Sequence, residues 1–97
     1  MTKKEILEYL QQRYPVLQER YGVTAIGFFG SYARDEATEK SDIDIFVEMP
    51  PKLSSLVAVK EMIEKDLDKP VDLVRLWDRM NPYLKRRIER EGIRVLR

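Results

Sequence analysis

"GFFGSYARDEATEKSDIDIFVEM", residues 27–49, joins two apolar runs through a polar segment that begins with a Gly-Ser pair. The run at 23–30 is β-branched and aromatic, and it predicts a strand that ends at Gly30. The run at 42–49 predicts a second strand, ended by two prolines. This second run carries Asp42 and Asp44 among apolar neighbours, so the sequence places two like charges close together in a strand that otherwise resembles core.

The side chains of Asp42 and Asp44 are predicted to point to the same face of the sheet, because successive strand residues alternate between faces. Adjacent carboxylates repel each other, which raises the pKa of one of them. A bound Mg²⁺, Mn²⁺ or Ca²⁺ removes this conflict, since these cations prefer oxygen ligands. The pair therefore predicts a cation site. The spacing alone leaves open that Ser41 and Asp42 only cap a turn and that Asp44 lies on an exposed face.

A third carboxylate, Asp72, stands near the start of another predicted strand at 71–77. If that strand lies beside 42–49, three carboxylates share one edge of the sheet. Three acids in this arrangement can hold two metal ions, as sites of phosphoryl transfer do. Considered alone, Asp72 is more typical of an ordinary exposed strand position.

The other elements follow from caps and periodicity. Thr2 and Glu5 predict a capped helix from Lys3 to Gly22, and Pro15 within it predicts a kink or two short helices. Apolar spacing predicts a helix over 54–67, and an Asn-Pro start with a glycine stop predicts one over 81–92. Residues 93–96 predict a short fourth strand. Together these predict one α/β or α+β domain over residues 1–97, with a small mixed β-sheet covered by helices.

The composition limits the chemistry. The chain has no cysteine and no histidine, so catalysis must rest on carboxylates, hydroxyls, Lys, Arg or a bound metal. No apolar run has the length of a membrane span, and the polar start is unlike a signal peptide. We therefore expect a soluble, cytoplasmic protein that does not contact a membrane.

The charge is distributed unevenly along the chain. Residues 1–74 carry a balance of −4, whereas residues 75–97 carry +5. A basic C-terminal part suggests an anionic partner, but a solvated helix face is the more ordinary explanation.

The Gly30-Ser31 pair lies between a strand end and a predicted helical turn. Backbone N–H groups at such a turn can bind an anion, Ser31 adds a hydroxyl, and Arg34 adds a charge that suits phosphate. The pair is neither a Walker loop nor a dinucleotide fingerprint. By itself it is also typical of an ordinary helix cap.

The combination is more specific than its parts. Gly30-Ser31, a spacer of ten residues, Asp42-x-Asp44 and the later Asp72 form one ordered set. It resembles the signature of the DNA polymerase beta-like nucleotidyltransferase superfamily, and "FGSYAR…SDIDIFV" is especially similar to its minimal nucleotidyltransferase (MNT) family. That family often has glycine where this chain has Asp35, which puts the local turn geometry in question.

The resemblance implies the polymerase beta-like fold and transfer of AMP from ATP to a hydroxyl with two Mg²⁺ ions. It implies that Gly30 and Ser31 cradle the β- and γ-phosphates, with Arg34 either as a further phosphate contact or as part of the turn structure. The implied catalytic and metal-binding residues are Asp42, Asp44 and Asp72.

The resemblance also implies a partner. MNT proteins are typically encoded beside a HEPN-type ribonuclease toxin, so the implied function is an antitoxin that adenylylates a toxin tyrosine, in a homo- or hetero-oligomer. The basic helix with Lys85, Arg86, Arg87 and Arg90 is one candidate docking surface. Exposed aromatic side chains are another, and the candidates are Tyr9, Tyr14, Trp77 and Tyr83.

Two other functions stay open from the sequence. One is a non-catalytic antitoxin that silences its partner by binding. The other is nucleotidyl transfer to RNA ends or to a small hydroxyl compound with a helper subunit, although contact with RNA is not favoured because no aromatic stacking platform lies among the basic residues.

Overall fold

The computed structural model describes residues 1–95, which form one four-stranded sheet and three helices. The elements in chain order are α1 (Lys3–Tyr21), β1 (Ala25–Phe29), β2 (Ile43–Glu48), α2 (Leu53–Leu67), β3 (Val71–Arg75), α3 (Pro82–Glu91) and β4 (Ile93–Arg94). The predicted fold class is confirmed. Of the fourth strand predicted at 93–96, residues 93–94 are paired, and Leu96 lies outside the described residues. No helix within 1–95 is long and apolar enough to cross a membrane.

Helix α1 begins and ends at the predicted signals. The hydroxyl of Thr2 accepts the N–H of Glu5 at 3.2 Å, and the Glu5 carboxylate accepts the N–H of Thr2 at 3.0 Å. Gly22 ends the helix in the left-handed conformation, with φ 71°. The local cap residues therefore determine both ends of α1.

Of the two alternatives predicted at Pro15, two short helices is wrong, because α1 runs through this residue as one helix. A kink within that helix stays a prediction. Pro15 is exposed, so its ring lies on the solvent side of the helix and not against the core. Leu10, Tyr14 and Leu17, on either side of it, lie in the same core cluster. Packing of this apolar stripe against the sheet outweighs the one backbone hydrogen bond that proline removes.

Strand β2 lies at the centre of the sheet, whose order is β3-β2-β1-β4. It pairs antiparallel with β1 and parallel with β3, and α2 makes the crossover that a parallel pair requires. Strand β4 pairs antiparallel with β1 at the opposite side. The expectation that the strand carrying Asp72 lies beside the strand carrying Asp44 is confirmed.

The two faces of the sheet bury separate clusters, as strand alternation requires. Ile43, Ile45 and Val47 lie in the cluster formed with α1 and α2. On the other face Phe46 packs with Phe29, with Met80 and with Ile88 of α3. Asp44 and Asp72 share this second face. Asp44 precedes Phe46, the β2 residue that packs against α3, by two positions. Asp44 is half-buried and Asp72 is exposed.

Helix α3 also follows its predicted signals. The side chain of Asn81 accepts the N–H groups of Tyr83 at 2.9 Å and Leu84 at 3.2 Å, with Pro82 as the first helical residue. The N–H of Gly92 donates to the carbonyl of Ile88 at 2.7 Å and closes the helix. These caps place the last turn of α3 beside the end of β1.

Candidate active site

The centre of the site is a pair of carboxylates on neighbouring strands. Asp44 of β2 and Asp72 of β3 are register partners in the parallel pair. Neighbouring strands lie about 4.8 Å apart, so the two side chains leave the same face side by side. Strand pairing, rather than sequence spacing, brings these two acids together.

Asp42 takes a different position from the other two acids. It precedes β2 by one residue and is exposed, while the N–H of Ile43 next to it donates to the carbonyl of Pro70 at 3.0 Å. Within residues 1–95 no three acidic side chains are already arranged as a metal-binding group. The structure thus pairs Asp44 with Asp72 and leaves Asp42 at the edge beside them.

The charges of the other two acids affect the ionisation of Asp44. Burial raises the pKa of Asp44 above its usual range, and the charges of Asp72 and Asp42 raise it further. The nearby charges of Arg87 and Arg34 lower it in part. A divalent cation bound by these oxygens would relieve the repulsion, so the donor set and its charge fit Mg²⁺.

Gly30 brings the Gly-Ser turn directly against Asp44. Its φ is 75°, and a Cβ at this position would overlap Oδ2 of Asp44 and lie 3.1 Å from its Cγ. Any larger residue would have to displace the carboxylate or the turn. The turn and the acids are therefore two parts of one site.

The turn at 30–35 is a single helical turn rather than a regular helix. The N–H of Arg34 donates to the carbonyl of Gly30 at 3.1 Å, and the N–H of Glu36 donates to that of Ser31 at 2.9 Å. Asp35 closes it with φ 57°. The amides of Ser31, Tyr32 and Ala33 have no hydrogen-bond partner within the described part of the chain, so three successive N–H groups are available to an anion.

Ser41 bears on the alternative that the acidic stretch only caps a turn. Its hydroxyl accepts the N–H of Thr38 at 2.9 Å, so Ser41 does have a capping role. Asp44, in contrast, is half-buried beside Asp72 and Gly30 and does not lie on an open face.

Glu91, the last residue of α3, joins the site without having been expected from the sequence. Its Oε1 accepts the N–H of Gly30 at 3.1 Å, Nη1 of Arg34 at 3.1 Å and Nε of Arg87 at 2.9 Å. Burial raises the pKa of Glu91, but the hydrogen bonds from Arg87, Gly30 and Arg34 outweigh it, and the pKa is lowered overall. The only local signal was the four-residue spacing of Arg87 and Glu91, which is common on exposed helices.

The candidate docking residues divide between surface and interior. Trp77 and Tyr83 are exposed, at 46% and 75%, whereas Tyr14 is buried and Tyr9 is half-buried. On the basic helix, the Arg87 side chain points towards the Gly-Ser turn and lies over the ring of Phe29, 5.5 Å from its centroid. The exposed aromatic pair therefore stays available for a partner, while Arg87 belongs with the site.

Comparison with protein families gives one match over almost the whole chain. The protein-family model described as a nucleotidyltransferase domain matches residues 3–95 of this chain. A Methanocaldococcus jannaschii protein provisionally named a protein adenylyltransferase is 43% identical over 98 residues, which cover 97% of this chain and 98% of that protein. Protein adenylyltransferase MntA of Thermococcus cleftensis is 43% identical over 76 residues, which cover 76% of this chain and 77% of MntA.

Solved structures give the same result for the fold. A protein provisionally assigned as a minimal nucleotidyltransferase superimposes with a TM-score of 0.74 at 32% identity, over 96% of this chain and 95% of that chain. A chain from the complex of the tri-AMPylated Shewanella oneidensis HEPN toxin with its MNT antitoxin gives a TM-score of 0.63 at 22% identity, over 91% and 70% of the two chains. At 22% identity, the similarity to this second structure supports the fold alone. The fold expected from the sequence is confirmed.

Proposed function

The chain belongs to the nucleotidyltransferase domain family, and on that basis we propose that it transfers AMP from ATP to a tyrosine hydroxyl of a HEPN-type toxin and so acts as its antitoxin. MntA of Thermococcus cleftensis, 43% identical, is named a protein adenylyltransferase. The Shewanella oneidensis complex with the same fold holds an AMPylated HEPN toxin together with its antitoxin. We further propose that residues 1–97 work as a single nucleotidyltransferase domain.

The observation that carries the proposal is the contact between Gly30 and Asp44. It sets an anion-binding turn with free amides directly beside a pair of acids. A nucleoside triphosphate with its cations needs both kinds of surface within a few ångströms, because the phosphates bind the amides and the cations bind the carboxylates.

Asp42, Asp44 and Asp72 are the residues that would hold two Mg²⁺ ions. When bound, these ions supply charge neutralisation for the phosphates and acidify the attacking hydroxyl. Asp42 is exposed and precedes β2, so its side chain is free to turn towards the pair when the cations arrive.

The chain's own residues bind and orient the reactants. The Gly30-Ser31 turn holds the β- and γ-phosphates, and Arg34 adds positive charge beside it. The hydroxyl oxygen forms a bond to the α-phosphorus, the bond from this phosphorus to the bridging oxygen breaks, and pyrophosphate leaves. Asp72, the exposed member of the acid pair, accepts the hydroxyl proton. This division of work needs no histidine.

The test is transfer of label from α-phosphate-labelled ATP, with Mg²⁺, to the HEPN-type protein that co-purifies with this chain. Asp42→Asn and Asp44→Asn are expected to abolish labelling. Glu48→Gln is the matched control, since Glu48 lies on the same strand and the same face as Asp44 but at the far end, paired with Arg94 at 3.4 Å. It should label normally.

Two results would contradict the proposal. A stable, silenced complex without label would indicate an antitoxin that works by binding alone. Labelling of RNA ends instead of protein, with a steep dependence on salt, would indicate transfer to RNA.

A further inference from the structure

One oxygen of Glu91 gathers three donors from two distant parts of the chain. Oε1 accepts from Arg87 on its own helix and from Gly30 and Arg34 in the turn, at 2.9 to 3.1 Å. The Glu91 side chain is only 15% exposed. Since one backbone amide and two guanidinium groups converge here, Glu91 fixes the last turn of α3 to the Gly-Ser turn.

Arg87 keeps most of its hydrogen-bonding capacity in this arrangement. A guanidinium group has five N–H donors, and Glu91 uses the one on Nε. The terminal nitrogens of Arg87 have no partner within residues 1–95, and its side chain is 42% exposed. The group lies over Phe29, the residue immediately before Gly30.

The position of Arg87 suits the triphosphate better than a docking role. Its guanidinium lies over the β1 residue that is the register partner of Asp44, so Arg87 is on the face of the sheet that carries the acids. Arg34 lies within the turn and divides its donors between Glu36 and Glu91. Arg87 is therefore the one with a free planar fork, the geometry that binds phosphate oxygens in pairs.

We propose that Arg87 binds the β- and γ-phosphates of the nucleotide and that Glu91 is the positioning residue that holds Arg87 against the turn. The proposal rests on the proposed function and adds to it a phosphate ligand from α3, a helix outside the Gly-Ser and Asp-x-Asp segments. Arg34 and the free amides of the turn bind the same phosphates.

The experiment compares the binding of ATP and AMP, with Mg²⁺, to the full chain by calorimetry. Arg87→Gln should weaken ATP binding about tenfold or more, the loss expected for a charge-assisted hydrogen bond, and leave AMP binding unchanged. Arg87→Lys keeps the charge without the planar fork, and its ATP affinity should lie between those of the wild type and Arg87→Gln. Arg90→Gln is the matched control, because it removes the same charge from an exposed position on the same helix, and it should bind both nucleotides normally.

Glu91→Gln tests the positioning role. It should weaken ATP binding and leave AMP binding unchanged. A general loss of structure would weaken the binding of both nucleotides, so AMP binding serves as the folding control. Tighter ATP binding in Glu91→Gln would overturn this role and show that the carboxylate only repels the phosphates.

The two proposals fail in different ways. If the wild-type chain labels its partner but Arg87→Gln binds ATP as Arg90→Gln does, the role of Arg87 is wrong and the proposed function stands. If the wild-type chain neither binds ATP nor transfers label, both are wrong.

Discussion

Two residues of the Gly-Ser turn adopt a backbone conformation that most residues avoid. Gly30 has φ 75° and Asp35 has φ 57°. The left-handed region costs a residue with a Cβ about 1–2 kcal/mol, and aspartate is among the few that enter it routinely. Glycine, the residue that the resemblance to the MNT family leads us to expect at position 35, would enter this region without that cost. Asp35 adopts this conformation, and both backbone hydrogen bonds of the turn are formed, so the turn closes with aspartate at this position.

Replacing Gly30 by alanine should damage both stability and nucleotide binding. The new Cβ would overlap the Asp44 carboxylate and occupy a left-handed position. We expect the free energy of unfolding to fall by about 2 kcal/mol or more. Binding of Mg²⁺ and ATP should be lost, because the carboxylate has to move. Urea denaturation and calorimetry measure the two effects.

Gly22→Ala is the control for this substitution. Gly22 has a similar φ of 71°, but its Cβ would meet only the ring of Pro50, at 3.2 and 3.4 Å, far from the acids. It should lose stability and keep ATP binding. If Gly30→Ala also binds ATP normally, the close approach of the turn to Asp44 is not required for function.

Among the helices, α1 shows most directly that tertiary packing can override a local signal. Proline inside a helix costs about 3 kcal/mol relative to alanine, and Pro15 removes a backbone donor. We therefore expect Pro15→Ala to stabilise the protein, by about 1–3 kcal/mol. The urea midpoint should rise with an unchanged m-value.

The control for Pro15→Ala is Gln12→Ala, an exposed change on the same helix that should shift stability by only a few tenths of a kcal/mol, roughly the difference in helix propensity. A loss of stability in Pro15→Ala would mean that the proline ring contributes packing that the exposed position does not suggest.

The sequence predicted the ends of α3 but not the direction in which its charges point. Asn81, Pro82 and Gly92 are local signals, and all three act where expected. Glu91 and Arg34, in contrast, are 57 positions apart, and their ion pair depends on how α3 packs over Phe29 and Phe46. No periodicity encodes such a contact, so the sequence could predict the Gly-Ser and Asp-x-Asp residues of the candidate site but not the contacts that α3 adds to it.

The acid pair depends on the arrangement of the entire sheet in the same way. Each of Asp44 and Asp72 was visible as an acid in an apolar strand, but alternation predicted a shared face only for Asp42 and Asp44. The proximity of Asp44 and Asp72 required β3 to pair with β2 in parallel and in one register. The free protein therefore holds two repelling acids in a fold that other interactions must stabilise.

This arrangement predicts a particular dependence of stability on pH. The pKa of Asp44 is raised in the folded state, so folding favours its protonated form, and the stability present at low pH is lost as the pH rises through that pKa. Without divalent cations, Asp44→Asn should be more stable than the wild type near about pH 7, and the difference should shrink towards about pH 4. We expect a gain below about 1 kcal/mol, because water still screens this half-buried group.

Glu91 contributes with the opposite sign, since its pKa is lowered overall and its stabilising effect is lost as the pH falls. The comparison of Asp44→Asn with the wild type at each pH removes that common contribution. Added Mg²⁺ should raise the melting temperature of the wild type and of Glu48→Gln but not of Asp44→Asn, as thermal unfolding with and without Mg²⁺ would show. If Asp44→Asn is less stable than the wild type near about pH 7 without Mg²⁺, the carboxylate stabilises the fold through its arginine neighbours, and the cation is not what allows the two acids to lie together.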